Sequence, residues 1–227
     1  MTTTEINYDQ VFQLFISNDE LRPLMCHPYK QGGKYYATDA HSMIILPIEK
    51  ANLDYPEQDK PISDAVVPKE TTCNIEIKIS DLEAKLIPEI IDEIIEEEKE
   101  DKCEECDGDG EVEFEYDATS KNKWQSFTME ADCPICEGAG TITETIKKPT
   151  GKKIPNPAKK YKMFEVGFMY EQLKRLIDAC NLLGVETITK TYGTPTNANI
   201  FKCGDAVILI MPAMSYEVPE EEFTVIF

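Results

Sequence analysis

The sequence predicts an α+β fold in which short helices pack on antiparallel strands, interrupted once by a cysteine-bearing hairpin. Three observations predict it. Segments with helical spacing are few and are separated by runs with strand alternation. The strand runs follow one another across tight turns instead of alternating with helices, so no βαβ unit and no nucleotide-binding sheet is expected. Two C-x-x-C pairs interrupt the order, at Cys103, Cys106, Cys133 and Cys136.

Taken in order, residues 8–17 are expected as a helix, capped by Asn7, with Val11, Phe12 and Phe15 on one buried face. Gly32-Gly33 marks a turn. Strands follow at 34–38 and 42–47, around an Asp39-Ala40 turn, and 52–63 is a Pro- and Asp-containing loop. Residues 75–79 alternate as a strand, and Ser80 with Glu83 makes a capping box that opens a helix. Leu82, Leu86, Ile90 and Ile94 continue that helix at regular spacing, kinked or split by Pro88. Later, 163–166 is expected as a strand and 168–183 as a helix presenting Leu173, Leu176, Ile177 and Cys180, ended by Gly184. Strands at 185–190, 198–203 and 206–211 close the pattern, the last two joined at Gly204-Asp205.

A chain of 227 residues buries a sufficient core without covalent staples, so its eight cysteines need not be paired. Cys26, Cys73, Cys180 and Cys203 are scattered and read as free thiols. A polar start and the lack of any apolar run near the roughly 18 residues of a membrane span give a cytoplasmic expectation, with no membrane partner. The formal charge of -20 repels phosphate at long range. That charge is uneven. Residues 89–105 are strongly acidic, whereas 147–162 hold seven lysines and are expected as a Lys-rich linker.

The two cysteine pairs are one motif written twice, Cys103-Glu-Glu-Cys106-Asp-Gly108-Asp-Gly110 and Cys133-Pro-Ile-Cys136-Glu-Gly138-Ala-Gly140. C-x-x-C lets two thiolates of one tight turn reach one ion, and the glycines permit the positive φ that aims backbone amides at sulfur. Residues 111–116 and 124–130 alternate like hairpin arms that bring the pairs together. Four thiolates close a tetrahedral site, so one structural Zn2+ is expected, and the net charge becomes about -22. The repeated C-x-x-C-x-G-x-G resembles the cysteine-rich domain of DnaJ-type chaperones over residues 103–140. That family carries four copies and two zinc ions; two copies here imply one. No J-domain His-Pro-Asp tripeptide is present.

Outside this insertion, Phe164-Glu-Val-Gly-Phe168-Met-Tyr-Glu-Gln-Leu173-Lys-Arg-Leu176 and Ala206-Val-Ile-Leu-Ile-Met211-Pro212 resemble the last half-domain of a bacterial DNA polymerase III β sliding clamp. Tyr36-Ala37-Thr38-Asp39-Ala40-His41-Ser42-Met43 is similar to that family's Ala-Thr-Asp-Gly-His-Arg-Leu turn, and Val66-Val67-Pro68-Lys69 to a segment after it. The resemblance spans about residues 5–80 and 163–214. It implies an α+β fold of sliding-clamp-like helices on antiparallel sheets, the helices of 8–17 and 168–183 side by side. The zinc-binding β-hairpin module is then an insertion. The domain division expected is 1–100 with 163–227 for the clamp-like domain and 101–146 for the module, with 147–162 as linker.

The clamp resemblance also implies sites. A pocket for short peptides would be lined by Thr38, His41, Met43, Met211 and Pro212, with residues 223–227 as a strand able to cover it. Weak, salt-sensitive DNA contact would rest on Lys174 and Arg175, by the resemblance, and on Lys152, Lys153, Lys159 and Lys160 of the lysine run. The first helix holds no Lys or Arg, and one clamp domain per chain would require an oligomer to form a ring. With only His27 and His41, and no H-E-x-x-H, P-loop, G-x-S-x-G or dinucleotide loop, no enzyme and no small-molecule substrate is expected. The leading expectation is a non-enzymatic clamp-like scaffold recruiting protein partners as a DNA replication or repair accessory factor. Two alternatives are a chaperone-like client binder using the zinc finger and a thiol oxidoreductase using one C-x-x-C.

Overall fold

A computed structural model describes residues 6–58, 67, 72–120, 123–213 and 223–227. The chain forms two compact units, residues 1–89 with 155–227, and residues 90–154. Of the segment 66–69, only Val67 is among the described residues.

Helix α1 is Tyr8–Gln13, with the Asn7 side chain accepting from the Gln10 N–H. It stops four residues short of the expected 17 because its end tightens: the Phe15 N–H bonds to Phe12 at 3.0 Å. Val11, Phe12 and Phe15 are buried nonetheless, and Phe12 meets Tyr35 and Tyr55 edge-on. Strands β1 (Tyr29–Gln31), β2 (Lys34–Thr38) and β3 (Ser42–Pro47) form an antiparallel meander, and β4 (Ile75–Lys78) runs directly into α2 (Ile79–Lys85). The expected capping box is not made. The helix begins at Ile79, whose N–H bonds to the Glu186 carbonyl at 2.9 Å, so Ser80 lies inside the first turn and among the described residues reaches Asp81 alone.

The expected continuation of that helix through Ile90 and Ile94 is corrected by the structure. α2 ends before Pro88, which can neither donate a helical hydrogen bond nor accommodate the preceding turn. Four β-branched isoleucines then favour extension, and Ile90–Lys102 is strand β5. β6 (Glu111–Ser120) and β7 (Lys123–Asp132) pair from Glu111↔Asp132 to Ser120↔Lys123, and β8 (Thr141–Pro155) pairs with β5. The second unit is thus two antiparallel ribbons with the cysteine turns between them. The expected Lys-rich linker is instead strand as far as Pro155, because the acidic β5 lies opposite it. Lys147 pairs with Glu96, Lys148 with Glu97 and Lys153 with Asp92. Exposed pairs of this kind contribute about 0–1 kcal/mol each.

In the first unit, β9 (Lys160–Met163) and β10 (Val166–Met169) form a hairpin. The expected strand at 163–166 is its turn, with Phe164 and Glu165 at φ 50 and 65. α3 (Tyr170–Leu183) follows and is closed by Gly184 at φ 67, with the Val185 N–H bonded to Cys180. β11 (Thr187–Tyr192), β12 (Asn199–Cys203) and β13 (Ala206–Ile210) complete an antiparallel seven-stranded sheet of order β1-β2-β3-β13-β12-β11-β4. β14 (Thr224–Val225) runs parallel to β9.

One face of the large sheet carries the main core. Ile44, Leu46, Ile188, Phe201 and Ile208 meet Leu173, Leu176 and Ile177 of α3, and both α1 and α2 lie against α3. On the other face Met43, Ile45, Ile200 and Leu209 form a smaller apolar cluster. No cysteine forms a disulfide. Cys180 and Cys203 are in buried contact at 3.4 Å, and that contact, with burial, pushes the Cys203 thiol well up, as suits an inert core thiol. Among the described residues, no helix is long and apolar enough to cross a membrane.

Candidate metal centre and apolar pocket

Cys103, Cys106, Cys133 and Cys136 are all buried, and their sulfurs lie within 4.8 Å of one another. Cys103 Sγ stands 3.8 Å from Cys133 Sγ, and Cys106 Sγ 3.7 Å from Cys136 Sγ. Four sulfurs each ~2.3 Å from one ion stand about 3.8 Å apart in a tetrahedron, so the donor set fits a single Zn2+.

The backbone around the sulfurs is nearly two-fold symmetric. Asp107 and Glu137 take φ 49 and 53, and the glycines after them positive φ as well. This turn aims the Gly110 N–H at Cys106 Sγ (3.3 Å) and the Gly140 N–H at Cys136 Sγ (3.2 Å). The turns also lock to each other. The Cys103 N–H donates to Gly140 at 2.9 Å, and the Cys133 N–H to Gly110 at 2.7 Å. Desolvation pushes Cys106 up, but the Gly110 amide and the neighbouring thiols outweigh it and hold Cys106 at about 7. Desolvation dominates at Cys136 and raises it to about 11. Val112 and Ile142 are the apolar side chains packed on the cluster.

The resemblance-derived pocket residues sit around the β2–β3 turn. Asp39 Oδ1 accepts from the N–H groups of His41 (2.9 Å) and Ser42 (2.7 Å), and Thr38 Oγ1 donates to the Ser42 carbonyl (2.8 Å). Ala40 occupies the left-handed region at φ 75, where the clamp turn has glycine. The Met211 N–H donates to the His41 carbonyl at 2.8 Å, and the Gln172 side chain donates to the Met211 carbonyl at 3.0 Å. The end of β13 is thereby fixed beside the turn.

Together these segments enclose an apolar cavity of about 330 Å³ lined by Thr38, His41, Ser42, Met43, Leu209 and Met211, with Met25, Tyr29, Ala40 and Ala198 completing the wall. Pro212 is buried and is not part of that wall. Ser42 is 4% exposed, and its Oγ has no hydrogen-bond partner among the described residues. Residues 223–227, expected as a strand over the pocket, take another place: β14 joins β9, and Phe227 stacks on Phe164. Leu209 was detectable in the sequence, since strand alternation puts it with Met211 on the face away from Ile208. Met25 and Tyr29 come from a loop and a three-residue strand that carry no periodic signal.

Most cations expected to meet phosphate are answered within the chain. Arg175 pairs with Asp39 and Glu171, Lys174 with Asp178, Lys153 with Asp92 and Lys159 with Glu89. Lys160 stands over the Phe223 ring, and Lys152 has no ion pair among the described residues.

No protein-family model matches the sequence, and no curated protein does. Among solved structures, the chain is similar to the DNA polymerase III beta chain of Streptococcus pneumoniae, at 14% identity and a TM-score of 0.44, covering 91% of this chain and 62% of that one. It is similar to the Helicobacter pylori beta clamp bound to a DNA ligase peptide, at 11% identity and 0.43, covering 91% and 62%. It is similar also to the beta subunit of Thermotoga maritima, at 10% identity and 0.42, covering 92% and 64%. The chain thus spans 62–64% of the length of these structures.

Proposed function

We propose that the chain is a non-enzymatic, zinc-carrying scaffold that takes a short apolar segment of a partner protein in the Thr38–Met211 cavity, as an accessory factor in DNA replication or repair. The observation that carries this reading is the cavity. At about 330 Å³ it falls within the size of ligand pockets, its walls are mostly apolar, from Met25, Met43, Leu209, Met211 and the Tyr29 ring, and the exposed His41 is available for a polar contact. Such a site takes an apolar anchor side chain with one hydrogen bond to set its orientation. The place in replication or repair rests on the ordered sequence resemblance of 36–43, 164–176 and 206–212 to the sliding clamps. DNA contact in this reading is weak and falls with salt, because the candidate cations are largely paired.

The test is selection of short peptides from a random library on the zinc-loaded chain, followed by affinity measurement on Met211→Glu. Met211 is 38% exposed, so the substitution places a charge in the wall without emptying the core. Peptides with a bulky apolar anchor should bind, and bind at least about tenfold more weakly to the variant. Equal affinity for both proteins would remove the pocket from the account.

A further inference from the structure

The β6–β7 ribbon has two chemically opposite faces. Strand pairing puts Phe114 across from Met129 and Tyr116 across from Phe127, with Val112, Ala118, Gln125 and Ala131 on the same side. Between Val112 and Ala118, and between Gln125 and Ala131, that face carries no charge, and Phe114, Tyr116, Phe127 and Met129 are 42–53% exposed. The reverse face holds Glu111, Glu113, Glu115, Asp117, Glu130 and Asp132, with Trp124, 69% exposed, at its far end. None of these six carboxylates has an ion pair among the described residues, whereas Asp92, Glu96 and Glu97 of β5 are each paired with a lysine of β8. Within one unit, the chain's lysines answer the acids of one ribbon and leave those of the other unanswered.

We infer that this ribbon is a docking surface for a segment of another protein in which a short apolar run is flanked by basic residues. A two-stranded ribbon is marginal alone, and stacked aromatics such as Tyr116 and Phe127 (5.6 Å) gain from a cover over their free side. The unmatched carboxylates define what that cover carries: apolar side chains laid on Phe114, Tyr116, Phe127 and Met129, with lysine or arginine stems reaching over the narrow ribbon to the acids behind. A second copy of this chain fits less well. The four exposed side chains offer about 400 Å² per copy, and a face-to-face pair would bury about 800 Å² in total, short of the ~1,200 Å² where stable interfaces begin. It would also bring no cation to the acidic side. This surface stands independently of the pocket near Met211.

The experiment uses the full, zinc-loaded chain and three labelled peptides of about twelve residues: one with a central Leu run flanked by Lys, one with a central Leu run flanked by Glu, and one with a central Ser run flanked by Lys. Binding is read by fluorescence anisotropy at two salt concentrations. The Leu/Lys peptide should bind, weaken at least tenfold as salt rises from 0.05 to about 0.5 M, and outbind both others by at least tenfold. Tyr116→Ser with Phe127→Ser should abolish binding, as should Glu113→Lys with Glu115→Lys, while zinc content and the melting of the first unit stay unchanged because all four side chains lie outside the cores. Equal binding of the Leu/Lys and Leu/Glu peptides would show indiscriminate capture of apolar chains and overturn the inference. So would binding that survives the aromatic double variant, no binding of any peptide at about 100 µM, or a dimer in sedimentation that the aromatic variant dissolves.

Discussion

The guanidinium of Arg175 on α3 grips the carboxylate of Asp39 in the β2–β3 turn, and both side chains are 15% exposed. Asp39 uses its other oxygen to hold the N–H groups of His41 and Ser42, so the ion pair fastens the turn that makes one wall of the cavity to the helix behind it. By sequence position Arg175 could meet a phosphate; by structure it is a positioning residue for the pocket.

Arg175→Ala should therefore lower stability by about 2 kcal/mol, since it leaves a largely buried carboxylate without its cation. Peptide affinity at the cavity should fall with it, and weak DNA association should not change. Asp39→Asn should act similarly, with the double variant less than additive. Chemical denaturation and peptide titration on the four proteins check this; a loss under about 0.5 kcal/mol in either single variant would mean the pair is ornamental.

Elemental analysis should find one zinc per chain, because the four sulfurs form a single group of metal-binding spacing among the described residues. Cys103→Ser should release it and unfold residues 90–154, leaving the unit built on α3 intact, since that unit has its own core. Proteolysis should then cut within the module and spare the sheet. No zinc, two ions, or loss of the whole fold in one transition would contradict the assignment.

How much of this was legible depends on how local the determining physics is. β2, β3 and the cysteine turns carry their information in adjacent residues: alternation, an Asp-Ala turn, C-x-x-C with glycines. The end of α2 and the strand character of 90–102 do not. Leu82, Leu86, Ile90 and Ile94 satisfy helical spacing; Pro88 and the β-branched isoleucines weigh against it, and pairing with a lysine strand some fifty residues away, as in Glu97 with Lys148, completes the choice of extension. The lysine run reads as a linker for the same reason, its strand partner being distant in sequence. In the pocket, Thr38, His41, Met43 and Met211 were named through the clamp resemblance and not through any local pattern, and Met25, Tyr29 and Ala198 come from elements whose place is set by the sheet order alone.

Lys190 should make stability depend on pH. It lies on β11, 3% exposed, with no carboxylate partner among the described residues and its Nζ 5.8 Å from the Phe164 ring. Burial pushes its ammonium below the ordinary lysine value. Between that lowered value and the unfolded value near about 10.4, the unfolded chain binds more protons, so stability rises with pH across the window. Below the window both states are charged and the folded state bears the full cost of the buried charge. Lys190→Met should stabilise the protein by about 1 kcal/mol at neutral pH, an advantage that shrinks as pH rises toward the ordinary lysine value. A pH-independent advantage, or destabilisation, would show that the ammonium is favourably held.

The second glycine of each metal-binding turn should tolerate substitution far less than the first. At Gly140 a Cβ would stand 2.4 Å from the Gly108 carbonyl oxygen, and at Gly110 it would stand 2.4 Å from the Gly138 oxygen. Both clashes are with backbone, across the two-fold, and can be relieved only by parting the turns. The same two residues donate the N–H bonds to Cys106 and Cys136, so parting also removes a donor from a thiolate. At Gly138 a Cβ meets only the Asp132 side chain at 3.4 Å, and at Gly108 it meets the movable Lys102 stem. These first glycines also have positive φ, so alanine there costs about 1–2 kcal/mol of backbone strain and no more. Competition with a colorimetric chelator should then show Gly108→Ala and Gly138→Ala within about tenfold of the parent in zinc affinity, and Gly110→Ala and Gly140→Ala weaker by about a hundredfold. Similar losses at all four positions would mean that left-handed backbone alone, and not the close approach of the two turns, is what the glycines supply.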